Sequence, residues 1–454
     1  MGPQAIGGES AHSSSQGEAP LPLQHHASPQ LEMPDSCKAQ PPKSQSRATD
    51  TFKDKYLYII SHNENNEVSF EMEQGDKGNL VKGSIKKHYA FWQKYCSNEF
   101  ILDTVNNGYK IPFHSLPKQD HSGNNRSAAE HTQFVSESII KLLEEGRIQE
   151  CSSKPTVVNP LSVSVQPSGK KRLILDLRKV NLHIWKEKVK YEDLKTALLY
   201  LKKGKFMFSF DLKSGYHQID IHPEQTQYLG FSWKFGNIIR YFKFLVLPFG
   251  LSSAPYIFTK IMRVMVKKWR SEGKEIILYL DDGLGIGNSL SETNVHAKAI
   301  HKDLIEAGFI LNDEKSKWQP QQTCQWLGFL LDTKEGVIAP VNSKINRIKE
   351  ETTKAIDSQR MHVKAVASIV GQIISMTPAL GNITRLMTRS MLADVQASPS
   401  WNKLITISKE SKRELEFWSK CISRLKRVKM KNEKARIRLK SLDNTRDWKS
   451  LEYG

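Results

Sequence analysis

Residues Ile276–Ile286 read IILYLDDGLGI, and the architecture expected for the whole chain follows from this segment. Its two apolar runs, Ile276–Leu280 and Leu284–Ile286, are separated by Asp281-Asp282-Gly283, which makes this the strongest β-hairpin signal in the sequence. Ordinary turn chemistry is one interpretation, because Asp-Gly is a favoured hairpin turn. The other interpretation is chemical, because neighbouring carboxylates are the oxygen ligands that hard cations prefer.

A third acidic residue favours the chemical interpretation. Asp211 closes the apolar run Phe206–Leu212, which is typical of a strand, and a bend follows at Ser214-Gly215. An Asp before a loop is common on its own, but a strand lying beside the hairpin would bring Asp211, Asp281 and Asp282 together. Close carboxylates repel one another and persist only with bound cations or raised pKa values. Nucleotidyl transfer uses such a site to hold two divalent ions about 3.5–4 Å apart, so we predict a metal site on these residues.

The other periodic segments occur in an irregular order. Helices are predicted over Ile85–Phe100, Glu130–Glu145, Tyr191–Leu201, Pro255–Trp269 and Val295–Ala307, hairpins over 160–177 and 230–244, and mostly helix over 342–428. Because strands and helices do not alternate regularly, the pattern favours an α+β core followed by a helical C-terminal lobe.

Charge and cysteine usage narrow the function classes. The net charge of +19 points to a polyanionic partner, with nucleic acid ahead of an anionic membrane surface, while a generically basic solvated surface is the alternative. The five cysteines are scattered, which argues against a disulfide framework or a structural zinc. No apolar run approaches the roughly 18–20 residues of a membrane span, and no signal-peptide pattern is present. We therefore expect no membrane partner and an intracellular location, in cytoplasm, nucleus or both, without secretion.

Short motifs with recognisable spacing follow one another between residues 130 and 335. They are RLILDLRKVN at 172–181, FDL with Gly215-Tyr216 at 210–216, LPFGLSSAP at 247–255, YLDD at 279–282, AGF and NDEK at 307–315, and WLGF at 326–329. Their order resembles the fingers strand and palm motifs of the reverse transcriptases, and within these the retrotransposon enzymes. The resemblance implies a right-hand polymerase architecture of fingers, palm and helical thumb.

The resemblance also implies roles at the metal ions and the incoming triphosphate. Asp211 and Asp281 would bind two Mg²⁺ ions, which Mn²⁺ can replace, and Asp282 would be a less critical third carboxylate. Arg172, expected at a hairpin tip, would grip the triphosphate, with Lys170 as a second candidate. A solvated turn charge is the alternative for Arg172.

Further residues are assigned to the nucleotide by the same resemblance. Tyr216 would lie against the sugar and clash with a 2′-hydroxyl, which implies selection of deoxynucleotides. A buried core tyrosine is the alternative. Phe249 and Gly250 belong to the nucleotide-contacting motif, and Phe at position 249, where retroviral enzymes usually have Gln, is typical of retrotransposon enzymes.

Contacts with primer and template are expected along the palm hairpins. The residues assigned to them are Tyr279, Leu280, Lys315, Trp326, Leu327 and Gly328. The turn within Trp326–Phe329 would position the primer 3′ end, although an aromatic core strand is the alternative for Trp326. The implied partners are an RNA or DNA template with its primer and deoxynucleoside triphosphates, and the oligomeric state stays open.

The sequence suggests a domain division. Residues 1–55, rich in Ser, Gln, Pro, Gly and His, are predicted to be a disordered low-complexity segment. Within an N-terminal extension at 56–125, Gly83–Phe113 resembles the region upstream of the polymerase in DIRS-like elements. Fingers and palm are expected over 126–335, a helical thumb over 336–430, and a basic tail over 431–454.

The basic tail and the missing companion domains leave alternatives open. The basic run from Arg424 to Lys440, which ends in the tail, is a nucleic-acid contact, a solvated helix face or a localisation signal. Only about 25 residues follow the expected thumb, too few for an RNase H domain, so the tail would be a truncated connection to one. No Asp-Thr-Gly or Asp-Ser-Gly protease triplet occurs. A polymerase unit, a truncated reading frame and one piece of a longer product all fit.

The sequence therefore predicts an RNA-directed DNA polymerase that extends a primer 3′ end. A viral RNA-copying polymerase is one alternative, against which Tyr216 and the LPFGL motif argue. A catalytically inactive element remnant that only binds nucleic acid is the other, against which the intact Asp211, Asp281 and Asp282 argue.

Overall fold

The structure is a computed structural model that describes residues 81–166, 169–358, 360–425 and 428–430. The predicted disordered segment at 1–55, the start of the extension at 56–80 and the basic tail at 431–454 lie outside the described residues. The helices are α1 Ser84–Lys87, α2 Tyr89–Tyr95, α3 Glu99–Asn107, α4 Arg126–Ala129, α5 Thr132–Glu144, α6 Arg178–Asn181, α7 Leu194–Tyr200, α8 Ala254–Ser271, α9 Leu290–Glu306, α10 Asn342–Asp357, α11 Val363–Ser375, α12 Thr377–Leu380, α13 Ile383–Leu386, α14 Arg389–Gln396 and α15 Lys409–Cys421.

Strands and helices follow one another without regular alternation, as the sequence predicts, which confirms the α+β class. They are β1 Asp120–His121, β2 Ile148–Cys151, β3 Val157–Asn159, β4 Leu161–Val165, β5 Lys171–Leu175, β6 Phe206–Asp211, β7 Gly230–Phe235, β8 Ile238–Phe244, β9 Glu275–Tyr279, β10 Asp282–Gly287, β11 Lys317–Gln321, β12 Thr323–Trp326, β13 Phe329–Asp332, β14 Val337–Pro340, β15 Arg360–His362, β16 Leu404–Thr406 and β17 Val428–Lys429.

A four-stranded antiparallel sheet in the order β11-β6-β10-β9 forms the centre of the expected palm. Its strands alternate in the faces that they bury. Phe208 and Phe210 of β6 pack on one face against Trp318. A side chain at Gly283 or Gly285 of β10 would meet those phenyl rings at 2.2 Å or less. Glycines therefore alternate in this strand because the aromatic rings of its neighbour lie across it.

Two further regions flank this sheet. A five-stranded sheet in the order β1-β3-β7-β8-β2 and the β4–β5 hairpin occupy the expected fingers. Helices α10–α15 enclose a separate apolar core, with Ile373 and Trp418 fully buried, in the expected thumb. Among the described helices, none is long and apolar enough to cross a bilayer.

The predicted helix over Ile85–Phe100 is wrong in its continuity. The chain instead forms α1 and α2 and then breaks, and α3 begins after Asn98. The Asn98 side chain accepts a hydrogen bond from the Ile101 amide, which caps α3. The apolar spacing continues through the break, although α2 ends at Tyr95 and the Asn98 cap starts a new helix.

This N-terminal segment packs against the palm. Trp92 is fully buried, and its indole N–H donates to the carbonyl of Ala307 at 3.0 Å. The Ser84 hydroxyl donates to the carbonyl of Gly308 at 2.7 Å. Gly308 has a φ of 86°, and a Cβ there would lie 2.6 Å from the Ser84 carbonyl oxygen. The segment is therefore part of the palm's core.

We expect Trp92→Ala to lower the free energy of unfolding by about 3–5 kcal/mol, because it leaves a large cavity and an unpaired carbonyl at Ala307. Denaturant unfolding of the full chain measures this change. The matched control is Phe100→Ala, since Phe100 is 46% exposed and its loss should cost no more than about 0.5 kcal/mol. Equal stability of Trp92→Ala and wild type would show that the segment does not pack as described.

Candidate active site

The turn of the β9–β10 hairpin lies earlier in the chain than the predicted position at Asp281-Asp282-Gly283. Asp282 pairs with Tyr279, so Leu280 and Asp281 form the turn and Gly283 lies within β10. Leu280 adopts a φ of 56°, a left-handed conformation that is rare for a branched side chain. The Asp-Gly turn interpretation is therefore wrong. Such backbone strain clusters at functional sites.

The structure brings all three predicted acids together. Asp282 is the direct cross-strand partner of Asp211. The amide of Leu212 donates to the carbonyl of Asp281 at 3.1 Å, which ties the end of β6 to the turn. Gly215 approaches the Asp281 carboxylate so closely that a Cβ there would lie 3.3 Å from Oδ2. These carboxylates lie at one end of the sheet.

The positive charge near the three carboxylates is too small to offset their mutual repulsion and burial. Burial, followed by the charges of Asp281 and Asp211, raises the pKa of Asp282 to about 6. Burial and Asp211 also raise the pKa of Asp281, and Lys315 opposes both shifts. Within the described ranges, no group of three His, Cys, Asp or Glu side chains is already arranged to hold a metal ion. The donors are nevertheless all carboxylate oxygens in mutual repulsion, which fits a hard divalent cation.

The raised pKa of Asp282 gives a pH-dependent prediction. A carboxyl whose folded pKa lies above its unfolded value contributes stability that is present below about pH 4 and is lost as the pH rises through about 6. We expect Asp282→Asn to raise the thermal midpoint by roughly 2–4 °C at pH 7, and by less at pH 4. Calorimetry in the presence of chelator measures this. An equal increase at both pH values would contradict the assigned cause.

Tyr216 lies in an aromatic wall beside these acids. Its ring centroid is 5.2 Å from Phe249 and 5.4 Å from Phe258, and burial raises its pKa. Behind the wall, burial lowers the pKa of His217 to about 3, so the ring is neutral, and its Nδ1 accepts a hydrogen bond from Arg147 at 2.9 Å. Tyr216 is half-buried, so the ring is fixed on one side and open on the other.

The loop that carries Phe249 is fixed by the fingers. Gly250 has a φ of 102°, and a Cβ there would lie 2.8 Å from the carbonyl oxygen of Leu175. The Asn181 carboxamide donates to the carbonyl of Gly250 at 2.8 Å and accepts from the amide of Ser252 at 2.8 Å. Asn181 therefore joins the fingers motif to the nucleotide-contacting motif.

The predicted triphosphate residues lie on the β4–β5 hairpin. Arg172 is paired with Ser164 inside β5, so its predicted position at the tip is wrong: the turn lies before Lys171. Lys170 adjoins that turn, and its carbonyl accepts from the amide of Gln166. Both basic side chains are exposed.

The predicted primer and template residues divide into two groups. Tyr279 lies 5.5 Å from the Tyr191 ring, and Leu280 is half-buried at the turn. Leu327 and Gly328, with φ of 47° and 76°, form the turn between β12 and β13. Tyr279, Leu280, Leu327 and Gly328 remain predicted contacts of the primer and template.

One of the other two residues needs correction. Trp326 is 2% exposed inside the palm core, so it packs there and offers no surface to a primer. Side chains of β12 alternate between exposed and buried, and Trp326 is on the buried face. Lys315 belongs to the loop before β11, which lies beside Asp211. Lys315 lies beside the acids, with its Nζ 3.4 Å from Asp211 Oδ1 and its side chain 62% exposed, and its contact with primer or template stays a prediction.

Sequence reasoning missed the amide side chains around the site. Asn312 donates from Nδ2 to Asp211 Oδ1 at 2.8 Å. Gln218 is 1% exposed and bonds to both the amide and the carbonyl of Ile310. The only available signal was that Asn312 lies inside the NDEK motif and that Gln218 follows Tyr216 by two residues, since nothing local distinguishes a buried amide from a solvated one.

Comparison with known proteins agrees with this geometry. Residues 164–331 match the profile of the family described as reverse transcriptase (RNA-dependent DNA polymerase). The retrovirus-related Pol polyprotein from transposon gypsy of Drosophila melanogaster is 30% identical over 209 residues, which are 45% of this chain and 19% of that relative. The chain therefore spans about a fifth of that relative's length.

Two solved structures share the fold. The foamy viral protease-reverse transcriptase in complex with dsDNA matches with a TM-score of 0.55 and 18% identity, covering 80% of this chain and 63% of that one. Its complex with an RNA/DNA hybrid matches with a TM-score of 0.53 and 20% identity, covering 86% and 48%.

The fold is that of the right-hand polymerases. Within it, residues 164–331 are similar to the reverse transcriptase family, and the similar proteins include retrotransposon Pol polyproteins. Members of this family use divalent metal ions. The likeness of Gly83–Phe113 to DIRS-like elements stays a prediction.

Proposed function

We propose that this chain is an RNA-directed DNA polymerase that adds deoxynucleotides to a primer 3′ end. The observation that carries the proposal is the cross-strand pairing of Asp211 with Asp282 beside the turn formed by Leu280 and Asp281, in which Leu280 has a positive φ. The family match over 164–331 supports the same activity.

The proposed chemistry uses the acids as ligands for two Mg²⁺ ions, for which Mn²⁺ can substitute. When bound, these ions neutralise charge at the transferring phosphate and at the attacking and leaving oxygens. Asp211 and Asp281 would hold the cations, and Asp282 would add negative charge beside them. Because Asp281 and Asp282 have raised pKa values, metal binding requires their deprotonation and strengthens with pH.

The remaining residues bind and orient the substrates. Tyr216 and Phe249 present an aromatic wall to the sugar, and Arg172 and Lys170 supply exposed positive charge for the triphosphate. The turn at Leu327–Gly328 is the proposed support for the primer terminus. The foamy viral enzyme is described with dsDNA and with an RNA/DNA hybrid, which supports a primer–template duplex as the partner here.

Primer extension tests the proposal. The full chain is assayed on RNA and DNA templates, with deoxynucleotides or ribonucleotides, with Mg²⁺ or Mn²⁺ and with chelator. We expect metal-dependent extension with deoxynucleotides on an RNA template. Preferential use of ribonucleotides would favour an RNA-copying polymerase. Duplex binding without extension under any of these conditions would favour an inactive remnant.

A further inference from the structure

Asp211 is held by the segment 310–316, which links α9 to β11. Asn312 donates from Nδ2 to Asp211 Oδ1 at 2.8 Å, and its backbone amide donates to the Asp211 carbonyl at 2.9 Å. The Ser316 hydroxyl accepts from the Asp211 amide at 3.1 Å and donates to the Asn312 carbonyl at 2.7 Å. One short segment therefore fixes both the backbone and the carboxylate of Asp211.

The segment is itself anchored from within the palm. The buried Gln218 donates to the carbonyls of Lys213 at 2.7 Å and Ile310 at 3.0 Å, and it accepts from the Ile310 amide at 2.8 Å. The Lys213 amide also donates to the Ile310 carbonyl at 2.9 Å. Since Gln218 is 1% exposed and its bonds run to the protein backbone, the fold itself holds the segment that carries Asn312.

Asn312 and Lys315 act on the same carboxylate oxygen in different ways. The Lys315 ammonium lies 3.4 Å from Asp211 Oδ1 on a side chain that is 62% exposed, so this contact is loose and screened. The Asn312 carboxamide is half-buried, at hydrogen-bond distance, and adds no charge to the acidic cluster. A neutral donor orients a carboxylate without competing with a cation for it.

We propose that Asn312 is a positioning residue that orients the Asp211 carboxylate for cation binding. This inference rests on the proposed function, in which Asp211 is a metal ligand. A carboxylate held at one oxygen has fewer orientations to lose when a metal binds. Hydrogen-bond partners of ligating groups commonly change metal affinity by about 10- to 100-fold when they are removed.

The test compares Asn312→Leu with Ser316→Ala in the full chain. Ser316 is the matched control because it bonds to the same segment and to the Asp211 backbone but not to the carboxylate. Mn²⁺ binding is measured by the resonance of the free ion, without nucleic acid. We expect Asn312→Leu to weaken Mn²⁺ binding at least about 10-fold and Ser316→Ala to change it by no more than about 2-fold. In extension assays, kcat should fall in Asn312→Leu while KM for the nucleotide changes little.

Unchanged Mn²⁺ binding in Asn312→Leu, or an equal loss in Ser316→Ala, would overturn the inference. Asn312→Ala is the second variant, read in the same way, if the leucine variant does not fold. Asp281→Asn separates this inference from the proposed function. If wild type binds Mn²⁺ no better than Asp281→Asn does, the metal site itself is refuted. If Asp281→Asn weakens Mn²⁺ binding but the Asn312 variants bind Mn²⁺ as wild type does, the metal site stands and the positioning role alone is refuted.

Discussion

Asp281→Asn should abolish primer extension, lowering the rate by at least about 10³-fold, because metal-bound carboxylates supply several kcal/mol of transition-state stabilisation. Asp281 is central because it sits in the turn, with Gly215 packed against its carboxylate and Leu212 bonded to its carbonyl. The substitution keeps the shape of the side chain and removes its charge. Single-turnover extension on a preformed primer–template measures the effect.

The same substitution should leave duplex binding intact. Removing one negative charge near bound phosphates reduces repulsion, so affinity should stay equal or rise slightly. The matched control is Asp357→Asn, which makes the same chemical change at an exposed position at the end of α10. Extension by Asp281→Asn at a rate near that of Asp357→Asn would refute the metal assignment, whereas loss of both binding and extension would indicate misfolding.

The sequence predicted those parts of the fold that local patterns determine. Short apolar runs located β6, β9 and β10, and Gly308 marked the end of α9. The three acids were recognised because each lies at a strand end within a characteristic order of motifs. Their convergence needed only that β6 and β10 be neighbours, which the structure shows.

Local patterns failed where distant residues determine the conformation. Asp-Gly favours a turn, yet Gly283 lies within β10. The phenyl ring of Phe210 leaves no room for a side chain at this position, so the strand requires a glycine there. The turn then moves to Leu280, against its backbone preference. Packing between strands therefore outweighed local turn propensity.

The polar network around the acids was equally invisible to local analysis. Asn312 lies 101 residues from Asp211, and His217 lies 70 residues from Arg147. Bonds over such separations are set by tertiary structure and leave no periodic signal in the chain. Trp326 posed a different difficulty. An aromatic residue in a motif is compatible with a primer contact and with a place in the core, and only its 2% exposure in the structure decides for the core.

Tyr216→Ala should relax selection against ribonucleotides, raising the ratio of kcat/KM for ribonucleotide to that for deoxynucleotide by about 10- to 100-fold. That range corresponds to the roughly 1–3 kcal/mol cost of forcing an extra group into a packed site. The steric argument requires a ring that cannot move aside. Phe258 and Phe249 pack on the Tyr216 ring at 5.4 and 5.2 Å, and His217, held by Arg147, lies 5.1 Å from Phe249.

Tyr216→Phe separates the ring from its hydroxyl. If the ring excludes the 2′-hydroxyl, the phenylalanine variant keeps the wild-type ratio, since only the phenolic oxygen is lost. If the tyrosine hydroxyl instead bonds to the sugar, the phenylalanine and alanine variants should lose discrimination together. An unchanged ratio in Tyr216→Ala would place the incoming sugar elsewhere. Gly215, the residue before Tyr216, packs against the Asp281 carboxylate, so the residues proposed for nucleotide selection and for metal binding adjoin one another.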